Sequence, residues 1–536
     1  MRSHASFLLE RFGILHPALH QGHSSIGGYF RQDAASTVLK IDSLNSGLAK
    51  SELGDLQFLA NDNNEWIPSG HRLLIRRKKP LAKVLYATPA HLFEVNTRDF
   101  HLRLNPMLNL TVGEQQDNQH RTYQNQRGLE LRGDIDQKVY FYTNLVESQA
   151  AFSNYEVQFI RNFKAIPGIG FYKLFNSKTF KNTAGYDFNI ATAYLGAKVT
   201  KHIALELGHG RHFIGNGYRS MLLSDFAAPA FYLKLNTRFK RFHYQNLFLE
   251  LSPVSQVDIP DGTILPKKYA AMHYLSIKAT DRLSLGFFET TVFHRSKQFE
   301  WQYLNPVIFY RTVEGMIGSP DNVLLGFNFS YNLLKKSQLY GQFLFDEFRL
   351  AEVFGNRGWW ANKQGFQFGV KHLNTCGIDH LDVQLEFNAA RPYTYAHSAP
   401  EDSYTHYNQA LAHPLGANFR ELLGILRYQY HNKWFFTASM AYMLKGDDTA
   451  AQNWGGNPLI SYNSRVQEYG NKIGQGIESY TTFARFDVSW MWSHNLFIDA
   501  SVLHRRKNSQ SAELDMHTNW FKVGMRMNLW PQEVIF

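Results

Sequence analysis

Between residues 101 and 112 the even positions read Leu102, Leu104, Pro106, Leu108, Leu110 and Val112. The odd ones read His101, Arg103, Asn105, Asn109 and Thr111, broken only by Met107. The split recurs at Phe366, Phe368 and Val370 against Gly365, Gln367 and Lys371, and at Val383, Leu385 and Phe387 against Asp382, Gln384, Glu386 and Asn388. It returns in the last such stretch, where Phe521, Val523, Met525, Met527 and Leu529 oppose Lys522, Gly524, Arg526 and Asn528. A period of two is the signature of strands with one apolar and one polar face. Counting such segments from Asp99 to Leu529 predicts about 18 strands, within the range of outer-membrane barrels. The apolar parities are expected to face lipid.

The connections carry a second rhythm. Long ones fall at residues 113–125, 147–184, 208–230, 252–266, 295–320, 349–362, 389–418, 445–479 and 505–516. Tight ones fall around Asp134 and at residues 200–201, 240–241, 280–282, 335–337, 375–377, 431–433 and 493–495. Alternating long and short connections are those of a transmembrane antiparallel barrel, with long extracellular loops and short periplasmic turns. The final strand, from Asn519, is expected to pair antiparallel with the strand at 101–112, with Trp530 and Pro531 interrupting the pattern before Phe536. Residues 1–98 lack this rhythm and read as a short mixed periplasmic or plug-like extension, with short helices at 33–50 and 72–86; residues 99–536 form the barrel.

Composition agrees with a membrane barrel. The 536 residues are 44% hydrophobic, 15% aromatic and 19% charged, enough for a large core and wrong for a disordered chain. Mean hydropathy is nevertheless −0.35, as alternation demands. No apolar run approaches the roughly 18 residues of a membrane helix. The net charge of +11 reads as spread along the chain, which argues for anionic lipid or glycan partners and offers no case for nucleic acid. The single cysteine, Cys376, forms no internal disulfide. Residues 1–17 have no apolar leader core and no small-residue cleavage site, so the leader that an outer-membrane protein needs is expected outside this chain.

The catalytic inventory is empty. Asp346 and Glu347 are adjacent, and strand geometry sends adjacent side chains to opposite faces unless a bulge intervenes. His209 and His212, and His397, His406 and His413, have no metal-site spacing, and no phosphate loop or nucleophile elbow occurs. No cofactor and no metal are expected. The loops instead are dense in Gly, Arg, Tyr and Asn, which suits stacking on sugar C–H faces and reading of hydroxyls and acidic groups. The expected glycan contacts are Arg211, Arg219, Asp225, Tyr310, Arg311, Arg391, Tyr393, Tyr395 and Asn418. A porin-like channel for small solutes is the alternative.

GHGRHFIGNGYRSMLLSD, KYAAMHYLS, YLNPVIFYRTVEGMIGSPDNVLLGF, YGQFLFDEF, RPYTYAH and HPLGANFRE, in this order, resemble the Wzi-like capsule-assembly family, as does HSSIGGYF at 23–30. Within it the chain is similar to the branch that includes the gliding-motility outer-membrane protein RemB. The resemblance implies a bacterial outer-membrane barrel acting as a lectin-like holder of capsular or other extracellular polysaccharide, not an enzyme. The implied partners are outer-membrane lipid, the polysaccharide and an envelope protein complex. The first 98 residues depart from the type, with no three-helix bundle legible in them.

Overall fold

The computed structural model describes residues 3–19, 22–43, 48–79, 81–116, 121–177, 183–260, 262–295, 300–318, 321–347, 349–355, 357–530 and 534–536. Pro320, Pro531 and Glu533 lie outside them. Among the described residues one sheet holds 20 strands, of which Phe93–Asn96 and Lys173–Ser177 are short additions to the wall. The rest make the expected closed antiparallel barrel of 18. In chain order these are β1 (Phe100–Gln116), β2 (Arg121–Ile135), β3 (Val139–Ala151), β4 (Thr183–Lys198), β5 (Ile203–Gly210) and β6 (Ala230–Phe239). Then come β7 (Phe242–Leu251), β8 (Lys268–Lys278), β9 (Leu283–Phe293), β10 (Asn322–Leu333), β11 (Ser337–Glu347) and β12 (Lys363–His372). The last are β13 (Leu381–Ala390), β14 (Phe419–Tyr430), β15 (Trp434–Asp447), β16 (Ile477–Ser493), β17 (Leu496–Ser509) and β18 (Met516–Met527). β18 closes on β1 from Leu108 opposite Met527 to Gln116 opposite Asn519.

Parity decides what each side of the wall meets. On neighbouring strands Phe368 and Leu385 are 45% and 49% exposed, whereas Gln367 and Gln384, one residue away, are 0% and 2% exposed. The apolar face therefore looks outward to lipid, and the polar face is packed inside, as the alternation predicts. The tight turns take left-handed backbone at Asp136, Gln137, Lys240, His431, Asn432 and Asn495, the conformation that matches the twist of two-residue hairpins. The long connections stand at the other end, with two exceptions. β1 and β2 consume most of residues 113–125, the remainder at 117–120 lying outside the described residues, and β17 runs on to Ser509.

A bulge between Phe345 and Glu347 corrects the expectation for the adjacent carboxylates. Both Asp346 and Glu347 reach Lys363 Nζ, at 2.8 and 3.3 Å.

The N-terminal extension differs from its expectation. It holds three helices, α1 (His4–Leu15), α2 (Arg31–Ser43) and α3 (Lys50–Asp62), whose Leu8, Phe12, Val38, Ile41, Leu56 and Leu59 form one buried core. Ser3 caps α1 by accepting from Ser6 N at 3.1 Å. Among the described residues of 72–86 there is no helix: Ala82, Lys83 and Tyr86 have left-handed backbone. This stretch also corrects the reading of charge, because Arg76, Arg77, Lys78 and Lys79 make one exposed basic run. The bundle sits on the short-turn end. Arg11 Nη1 donates to both Asp382 oxygens at 2.6 Å, and Asp55 meets His380 Nε2 at 2.6 Å and Asn432 Nδ2 at 3.0 Å. The exposed Cys376 lies in the adjoining turn.

Two segments plug the lumen together. Residues 22–30, between α1 and α2, run against residues 211–229, between β5 and β6. Gly27 N donates to Phe213 O and Gly215 N to Ser25 O, each at 2.7 Å. A Cβ on Gly27 would stand 2.6 Å from Phe213 Cβ, so only glycine permits this approach. Beside the plug and against the bundle is a cavity of about 1020 Å³, whose lining runs from Gln137 and Lys198 at the short-turn end to Glu156 and Ile166 at the long-loop end. Three further helices, α4 (Asn154–Phe163), α5 (Tyr310–Ile317) and α6 (Leu350–Gly355), belong to long loops.

Candidate functional site

On the long-loop end, residues 349–362 between β11 and β12 join residues 448–476 between β15 and β16. Trp360 N donates to Glu468 O, Gly470 N to Arg357 O and Asn471 N to Gly358 O, each at 2.9 Å. Gly358 has a left-handed φ of 68°, and a Cβ there would lie 2.8 Å from Asn471 N, so the junction requires glycine. The joined loops gather aromatic rings. Trp360 lies 4.7 Å from Tyr462 and 6.2 Å from Trp359, with Tyr469, 46% exposed, at the rim. Guanidinium groups stand over three of these rings: Arg465 at 4.3 Å from Trp360, Arg349 at 4.8 Å from Trp359 and Arg357 at 4.9 Å from Tyr469. Ring faces beside fixed cations can stack on pyranose C–H surfaces while binding carboxylates of acidic sugars. Burial, reinforced by Lys363, lowers the pKa of His397 at the inner edge of the platform and favours its neutral imidazole.

Most of the residues expected to touch glycan support the loops from beneath. Arg391 Nε donates to Asn362 O at 2.7 Å, with Nη2 reaching Trp359 O and Asn471 O at 3.4 Å, so it holds up the platform. Tyr393, fully buried, packs 6.3 Å from Trp360 and donates to Asn453 O at 2.9 Å. Tyr395, also fully buried, donates to Met221 O at 2.8 Å; Asn418 donates to Gly446 O and Gln475 O at 3.0 and 2.8 Å. Arg219 lies in the plug, where its guanidinium meets Glu421 at 2.9 Å and its main-chain N donates to Glu386 at 2.9 Å. Arg211 donates to the Asp225 carbonyl at 3.3 Å, and both line the inner cavity rather than the mouth. Tyr310 and Arg311 lie on α5, away from the platform.

The platform residues Trp359, Trp360, Tyr462, Tyr469, Arg357 and Arg465 were not singled out by sequence, because about a hundred positions separate the two halves. The dipeptide of tryptophans after Gly358 was the available signal.

Residues 110–502 match the family described as capsule assembly protein Wzi. The chain belongs to the Wzi capsule-assembly family. Fold and family together place it in the bacterial outer membrane. Among solved structures it is similar to Wzi from Escherichia coli, described as an outer-membrane protein involved in group 1 capsule assembly and a carbohydrate-binding β-barrel. That likeness has 12% identity, a TM-score of 0.60 and 98% coverage of both chains. It is also similar to OprD from Pseudomonas aeruginosa, at 11% identity, TM-score 0.43, covering 79% of this chain and 94% of that one. Acinetobacter baumannii OccAB2 is similar at 9% identity and TM-score 0.43, over 80% and 97%. A search of the curated proteins finds no match. The Wzi-type motifs quoted from the sequence are now placed: HSSIGGYF and GHGRHFIGNG are the two strands of chain that meet in the plug.

Proposed function

We propose that this Wzi-family barrel holds surface polysaccharide on the platform of Trp359, Trp360, Tyr462 and Tyr469, without catalysing a reaction on it. The observation that carries the reading is the set of arginines held over the half-buried rings of Trp359 and Trp360 and the exposed ring of Tyr469 at the long-loop end, the end that faces outward in outer-membrane barrels. The E. coli relative's carbohydrate binding supports it. The short-turn end, with its helical bundle, is then the periplasmic side. Of the residues read from sequence, Arg391 and Tyr393 act here by positioning the rings, and Arg211, Arg219, Asp225, Tyr395 and Asn418 by keeping the loops in place.

The test is Trp360→Ala combined with Tyr462→Ala in cells that carry the polysaccharide. The expected result is polysaccharide shed into the medium while the variant still migrates as heat-modifiable barrel. Wild-type retention by the folded double variant refutes the platform. The finer assignment to the RemB-type gliding branch rests on the quoted motifs. The same variant measured for colony spreading separates it from capsule retention, since a gliding role predicts loss of spreading as well.

A further inference from the structure

The segment 300–318, between β9 and β10, does not stand above the barrel mouth. It descends along the outer wall. The outward parity on β7, β8 and β9 runs through Tyr244, Asn246, His273 and Glu289, with Asn246 opposite His273, His273 opposite Glu289, and Leu275 opposite Phe287 in the next pair. Phe287 is 49% exposed and belongs to the lipid-facing belt, yet Asn246, His273 and Glu289 beside it are 0%, 6% and 4% exposed. What covers them is the segment itself. Tyr310 stacks on His273 at 4.0 Å between centroids, and Arg311 N donates to Glu289 Oε1 at 3.3 Å.

The tip of the segment is an irregular turn, which hydrocarbon rejects unless its backbone polar groups are satisfied by protein. Here they are. Pro306 O accepts from Tyr244 OH at 2.7 Å and from Asn246 Nδ2 at 3.2 Å, and Asn305 O lies 3.2 Å from His273 Nε2. Val307 N and Ile308 N donate to Asn305 Oδ1 at 3.0 and 3.2 Å. The polar residues on a wall that should be apolar are thus the partners of this turn. Tyr244 is the third residue of the ten-residue strand β7 counted from its short turn, so the tip reaches most of the way down the wall. The opposite face of the segment is open and mostly apolar: Trp301, Val307, Phe309 and Met316 are 74%, 79%, 71% and 70% exposed, with Gln302, Arg311 and Thr312 the exposed polar residues among them. Arg311 is paired with Glu314 at 2.5 Å.

We propose that residues 300–318 form a membrane-embedded strap whose outer face contacts lipid acyl chains, continuing the lipid-facing belt over a polar seam in the barrel wall. Tyr310 and Arg311 therefore serve the strap and not the glycan. The test uses the full-length chain with Cys376→Ser, carrying Phe309→Cys or Val307→Cys labelled with a bimane fluorophore, folded as judged by heat-modifiable migration. Phe368→Cys serves as the lipid-belt control. In vesicles of phospholipid brominated on its acyl chains, the strap probe is expected to lose as much emission as the control, and aqueous iodide is expected to leave it unchanged. Quenching by iodide with none from brominated lipid overturns the strap, since the segment is then in water. Protection from both quenchers, with cross-linking between copies through position 309 or 307, overturns it in favour of a protein interface.

Discussion

His413 shows how a loop residue in this barrel is fixed by the charge it is denied. It is fully buried, stacked 4.2 Å from Phe419, with Nε2 2.8 Å from Glu421 Oε2. Burial lowers its pKa from 6.5 to about 4, with the Glu421 carboxylate pulling the other way. The folded chain therefore binds this proton less readily than the unfolded chain does. The stability that the neutral ring contributes is complete above pH 6.5 and is lost as pH falls towards 4. The melting temperature is expected to drop across that window, and His413→Gln to flatten the drop; an unchanged slope in the variant removes His413 from the account. At this scale the sequence was a partial guide. The loops' Tyr, Arg and Asn do form an ordered structure, as their composition argued, but a residue type does not reveal whether its ring faces solvent. Tyr393 and Tyr469 look alike in sequence, and only packing makes one a support and the other a rim.

Among the elements, strands were legible because a two-residue period survives any tertiary context in which one face meets lipid. Of the N-terminal helices only α2 was, overlapping the helix expected at 33–50; α1 and α3 were not. In α1 the buried Ala5, Leu8, Leu9 and Phe12 do recur at helical spacing, but twelve residues give few repeats, and the core they join is completed only by α2 and α3. The plug was legible as a glycine-rich loop and expected at the barrel mouth, whereas the structure packs it inside the lumen. Arg219 shows its real load: a guanidinium 6% exposed, paired with a Glu421 that is fully buried. Truncating one partner of such a pair strands the other charge, at a cost of about 3–5 kcal/mol. Arg219→Ala is therefore expected to lower barrel stability in urea titration by that amount, and a variant within experimental error of wild type shows the pair to be dispensable.

For the whole molecule, the plug and the bundle together occupy the lumen that a solute channel needs. In planar bilayers the wild-type barrel is expected to show no steady open current. Arg11→Ala with Asp55→Ala, which removes the bundle's contacts to Asp382 and His380, is expected to give intermittent conductance. A steady wild-type current instead supports the porin reading. With the plug and the bundle both standing in the lumen, the polymer in the proposed reading is gripped from the side, over the few sugar rings that one aromatic platform spans. Each such contact is weak and indifferent to chain length. Many barrels on one cell, however, hold the same polymer at once, and linked contacts of this kind exceed a single affinity by about a hundred- to ten-thousand-fold. Retention then depends steeply on how many barrels the surface displays, and a modest fall in their number releases the coat all together.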